Sequence, residues 1–165
     1  MICGRCEKET TEHRMSMFNT QELCPDCQKK EKEHPDYKKA CDVEREQVLK
    51  GNRNFEGIGL PDDLKYKCIV GLRIGTRLCH LEDMAKMVEE ITAECVKSKP
   101  HYKIVGYCLT VGTWSKLIGN VRMIKEPFDY LLVHSIDNVG PNEDVFKRFK
   151  DEIESDCGIK VKVIC

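Results

Sequence analysis

The chain has 165 residues, with 27 Lys and Arg against 28 Asp and Glu for a net charge of −1, and 41% of its residues are apolar. That length accommodates one ordinary domain, or a small domain beside a medium one, and the balanced charge excludes a global attraction to nucleic acid. No apolar run approaches the roughly 18 residues that a membrane span needs, and "MICGRCEKET" has neither the basic start nor the apolar stretch of a secretory signal, so the expected location is the cytoplasm.

Neither half hides a basic domain: residues 1–65 carry 12 Lys and Arg against 14 Asp and Glu, and residues 66–165 carry 15 against 14. DNA binding would therefore need a local patch. Eleven cysteines, an odd number without a secretory signal, point to metal ligands or buried thiols and not to a disulfide framework.

Residues 1–50 are charged and poor in large aliphatic side chains, too few to build a core unaided. They hold a staple: Cys3 and Cys6 form one C-x2-C pair and Cys24 and Cys27 a second, with 17 residues between the pairs. This spacing predicts a four-cysteine zinc site, because each pair brings two thiolates to one ion and two pairs close a tetrahedron. Gly4 and Pro25 suit the tight turns of the two knuckles. Bound iron or a redox dithiol is the alternative, but no βαβ context surrounds "CPDC". His13 reads as a solvated loop residue, since four thiolates already complete the site. A charged helix is predicted over 36–50, ended by Gly51, with Tyr37, Ala40 and Val43 as a thin apolar stripe. The glycines and proline of "GNRNFEGIGLPDD" mark residues 51–65 as a linker, and Phe55, Ile58 and Leu60 imply that it packs on something.

From Tyr66 the pattern becomes β-α-β-α-β-α-β. "YKCIVGLRI", "YKIVGYCLTV", "FDYLLVHSID" and "KVKVIC" read as strands. One helix carries Leu81, Met84, Ala85, Val88, Ile91 and Cys95 on one face, a second Trp114, Leu117, Ile118 and Val121, and a third Val145, Phe149 and Ile153. The predicted class is α/β: a three-layer domain over 66–165 with a four-stranded, mostly parallel sheet. Ligands of such sheets sit beyond the carboxyl ends of the strands. Those ends offer Arg73, Gly75 and Thr76, then Thr110, Gly112 and Thr113, then Ser135, Asp137 and Asn138. There is no G-x-G-x-x-G and no phosphate-loop pattern, which argues against a dinucleotide site.

The succession "LRIGT", helix, "KIVGY", helix, "FDYLLVHSIDNVGPN", helix, "GIKVKVI" resembles the catalytic domain of serine recombinases, the resolvase–invertase family, over residues 66–165. In that family a serine hydroxyl attacks a DNA phosphodiester while arginines hold the phosphate. The resemblance matches Arg73 to the arginine of the first motif and Asp137 to the aspartate of the third. At the serine's place stands Gly75, and Asn138 and Pro141 replace two arginines. The resemblance thus implies a crevice without its nucleophile, and a retained Arg73–Asp137 pair bridging two strand ends. The family's long dimerising helix and helix-turn-helix reader, which would come after the last strand, are expected to be lacking.

The resulting expectation is a catalytically inactive, zinc-containing binding or regulatory module for DNA or a DNA-processing protein, of the kind carried by prophages and mobile elements. Two rivals are an enzyme using Thr76 or Cys79 as a substitute nucleophile, and a nucleotide sensor using the strand-end crevice. Cys68, Cys95, Cys108 and Trp114 read as core residues, and Cys157 and Cys165 as unpaired thiols near the surface.

Overall fold

The computed structural model describes residues 1–75, 81–98 and 101–164, and the chain forms two units, Met1–Lys65 and Tyr66–Cys165. Thr76, Cys79, His80 and Cys165 lie outside the described residues, as does the side chain of Leu81. Among the described residues no helix is long and apolar enough to cross a membrane.

In the first unit a short antiparallel hairpin, β1 (Arg14–Met15) and β2 (Glu22–Leu23), precedes α1 (Pro25–Glu33) and α2 (Tyr37–Leu49). Of the stripe expected on α2, Ala40 alone is buried, against Phe18 and Leu60. Residues 51–65 pack on this unit: the Gly59 N–H donates to the Phe18 carbonyl at 2.8 Å. Gly57 makes that approach possible. It adopts φ +89°, and a Cβ there would lie 2.2 Å from the Phe18 carbonyl oxygen.

The second unit is an α/β domain with a four-stranded, all-parallel sheet in the order β4-β3-β5-β6. Its elements follow the expected alternation: β3 (Tyr66–Ile74), α3 (Leu81–Ser98), β4 (Tyr102–Val111), α4 (Trp114–Arg122), β5 (Tyr130–Val133), α5 (Ile136–Val139), α6 (Glu143–Cys157) and β6 (Lys160–Val163). The short α5 was not expected from apolar spacing; its start is set by Ser135, whose Oγ accepts from the Asn138 N–H. Asn142 caps α6 in the same way, accepting from the Val145 N–H at 3.0 Å.

Alternation along β3 builds a core on each face of the sheet. Cys68, Val70 and Leu72 meet Met84, Ile91 and Cys95 of α3 on one side. On the other, Ile69 packs with Leu117 and Ile118 of α4 and with Phe149 and Ile153 of α6. Ala85, expected on the buried stripe of α3, is exposed, and Met87 packs on the core instead. Cys108 and half-buried Trp114 belong to the α4–α6 side, as does half-buried Cys157. The chain passes from β3 to β4 on one flank and then crosses to β5 on the other. The carboxyl ends of β3 and β5 therefore form the switch point at which such sheets open a crevice.

Candidate metal centre and strand-end crevice

Two loops and a helix start converge in the first unit. The first cysteine pair lies on the turn after Ile2, held to the hairpin by a 2.7 Å bond from the Gly4 N–H to the Glu22 carbonyl. The second pair straddles the beginning of α1. Cys24 is its N-cap, Pro25 fills the first helical position, and Cys27 lies in the first turn. Pro25 therefore starts a helix, and does not shape a free knuckle turn as the sequence suggested.

The ligand atoms of Cys3, Cys6, Cys24 and Cys27 lie within 4.8 Å of one another, and all but Cys6 are buried. The Cys6 and Cys24 sulfurs are 3.7 Å apart. A disulfide would bring them to about 2.05 Å, whereas the edge of a tetrahedron with metal–sulfur bonds of about 2.3 Å is about 3.8 Å. This donor set fits a metal ion and not a pair of disulfides. Main-chain N–H groups support the sulfurs: the Cys24 N–H donates to Cys3 Sγ at 3.2 Å. Burial disfavours the Cys3 thiolate, but N–H groups of Cys24, Cys6 and Arg5 outweigh it and hold the thiol at about 6. Burial pushes Cys27 the other way, reinforced by the neighbouring thiols.

Beside this centre is an ion pair that spacing did not reveal. Arg5, between the first two cysteines, is buried, and its Nη2 lies 2.7 Å from Oε1 of the equally buried Glu31. Glu31 also accepts from Ser16 Oγ at 2.5 Å and from the Met17 N–H at 3.2 Å, which fixes α1 to the hairpin.

The crevice in the second unit encloses about 480 Å³, with Arg73 and Gly75 on one wall and His134, Asp137 and Asn138 on the other. The expected Arg73–Asp137 pair is not formed. Arg73 Nε donates to the Asn138 carbonyl at 3.1 Å, and Nη1 to the Gly112 carbonyl at 2.7 Å. The guanidinium thus ties β3 to the ends of β4 and β5 through main chain, because those carbonyls lie nearer its fork than the exposed Asp137 carboxylate. Buried Asn138 completes the tie. Its Oδ1 accepts from the Arg73 N–H at 3.1 Å, and its Nδ2 donates to the Arg73 carbonyl at 2.8 Å.

Other strand-end groups are similarly committed. Thr110 Oγ1 accepts from Asn120 Nδ2 at 2.9 Å, and Ser135 caps α5. Gly75 is exposed, and a Cβ there would meet nothing within 4 Å. The sequence placed none of α3 in this crevice, yet Asp83, Lys86 and Glu90 line it. Glu90 Oε2 lies 2.7 Å from His134 Nε2, and Lys86 Nζ is 3.8 Å from Glu90 Oε1. Helical spacing places 83, 86 and 90 on one face; the direction of that face follows from the packing of α3 on β3 and β5. Removing Asn138 leaves the half-buried N–H and carbonyl of Arg73 without that partner, which costs about 2–3 kcal/mol. Asn138→Ala should therefore lower the melting temperature of the second unit by about 10 °C, read by differential scanning calorimetry of the full chain.

No protein-family model, curated protein or solved structure matches the chain. The functional reading rests on its residues and their geometry.

Proposed function

We propose that this chain is a non-catalytic relative of the serine recombinases, combining a structural zinc centre with a resolvase-like domain, and that it acts by binding DNA or a DNA-processing protein. The observation that carries this reading is the commitment of Arg73 to two main-chain carbonyls beside a glycine at the nucleophile's place. Phosphodiester attack needs a nucleophile and cations free to hold the developing charge. The described part of the crevice presents the carboxylates of Asp83, Glu90 and Asp137 against Lys86, His134 and Arg73, whose guanidinium is already bound to carbonyls. Few cations are left free to hold a phosphate, which speaks against both DNA cleavage and nucleotide sensing there.

Zinc suits the four-sulfur set best among common ions, since a closed tetrahedral thiolate site is its ordinary structural use. Bound there, it would cross-link the first turn to the start of α1. Loss of DNA binding on chelation would place the contact on the first unit.

Two assays on the full, metal-loaded chain test this. Incubation with supercoiled plasmid should give neither nicking nor a covalent protein–DNA adduct, and nicking abolished by Thr76→Val would establish the enzyme instead. Fluorescence anisotropy with duplex and single-stranded DNA, at two salt concentrations, reads the partner. Salt-sensitive binding lost on chelation makes DNA the partner. No binding at low salt leaves a protein partner.

A further inference from the structure

We propose that the outer edge of β4 is the surface on which two copies of this chain meet, with their β4 strands paired antiparallel about a two-fold axis at Leu109. β4 is ten residues long and hydrogen-bonded along one side to β3. Its other side has no strand partner among the described residues. Edge strands that stay single are ordinarily short, charged or interrupted by proline. This one is long and has no proline, and its one charge, Lys103, precedes the regular stretch: residues 104–115 contain no charged residue. Its single irregularity falls near Val105, where β3 shifts register between Cys68 and Ile69, and pairing is regular from Gly106 to Val111.

The exposed side chains of that regular stretch are all large and apolar. Tyr107 and Leu109 are 49% exposed and Val111 45%, on the sheet face that carries α3. α3 lies mainly over β3, and these three side chains stay about half exposed beside it.

The pattern is complementary to itself, which is why the occupant is a second copy. A two-fold axis perpendicular to the sheet at Leu109 sets each Leu109 opposite its equivalent, and each Tyr107 opposite the other copy's Val111. The result is a row of apolar cross-strand pairs with no like charges opposed. Each copy offers on the order of 300 Å² of apolar side chain, the size of a functional surface patch. The newly paired main chain adds to this, and the interface falls at the small end of specific ones, so the dimer is reversible, with a Kd on the order of 1–100 µM.

Sedimentation-velocity runs on the full, metal-loaded and reduced chain, from about 1 to 500 µM to bracket that Kd, test the proposal. The expected result is a monomer–dimer equilibrium, with amide exchange over 106–111 slowing as concentration rises. Leu109→Lys sets two like charges face to face on the axis and should weaken association at least tenfold. Leu109→Glu should do the same, and mixing the two variants should restore a dimer, which proves both fold and two-fold pairing. Met123→Lys, at another exposed site, should leave association unchanged. A monomer across the whole range overturns the proposal, whether its β4 amides exchange freely or are protected. A dimer indifferent to both Leu109 variants overturns it as well.

Discussion

Cys24→Ser should unfold the first unit and leave the second standing. The reason is the scarcity of other cohesion: the buried hydrocarbon of Met1–Lys65 amounts to Phe18, Leu23, Ala40 and Leu60, in two separate small clusters. Structural zinc contributes on the order of 10 kcal/mol to the folding of small domains, more than such clusters can replace. The second unit draws on two layers around its sheet and owes nothing to the metal. In a heteronuclear NMR spectrum of the full chain, amide signals of residues 1–65 should collapse to random-coil positions while those of β3 to β6 hold. A strong chelator should do the same to the unaltered protein. Dispersed signals for Cys3 to Leu23 in the variant would show that the hairpin stands without the metal.

The next largest effect belongs to Glu31. Truncation to alanine leaves the Arg5 guanidinium buried with its strongest partner gone, and breaking a buried pair from one side costs about 3–5 kcal/mol. Nε and Nη1 of Arg5 already lack hydrogen-bond partners, so little remains to compensate. Glu31→Ala should lower the temperature at which the first unit releases its metal, followed with a chromogenic chelator during heating. Glu31→Gln should fall between the two, because it keeps acceptors for Arg5 and Ser16 without the charge. Arg5→Met combined with Glu31→Met should cost less than Glu31→Ala, since it removes the buried charge together with its partner. Equal losses in the double and single variants would show that the pair's role is packing.

The contrast between the four cysteines and the buried Arg5–Glu31 pair shows what the sequence could and could not display. Four cysteines announce their meeting because metal chemistry fixes both residue type and local spacing, and the structure brings those four sulfurs together. The α/β order was legible because each strand and helix must bury one face, leaving a period of two or 3.6 in the letters. Arg5 and Glu31 carry no such mark: a buried charge looks like a surface charge until the partner 26 residues away is known to lie beside it. Arg73 stands out in the sequence for its place at a strand end, but its partners are carbonyls, which every residue possesses. "YKIVGYCLTV" was readable as a strand, but its letters did not show that it lies at the rim of the sheet, with Tyr107, Leu109 and Val111 about half exposed.

The docking of residues 51–65 changes where the protein can be cut. Composition marks this stretch as a tether, and a boundary at residue 50 would follow from it. Yet Leu60 closes over Phe18 and Ala40, and Gly57 and Gly59 lie against the Phe18 main chain. A fragment ending at residue 50 would strip the lid from the one large aromatic side chain buried in the unit and present it to solvent. It would then be prone to aggregate for reasons unrelated to its metal. The natural seam is between Lys65 and Tyr66, and fragments made for binding studies or for crystallisation should end there.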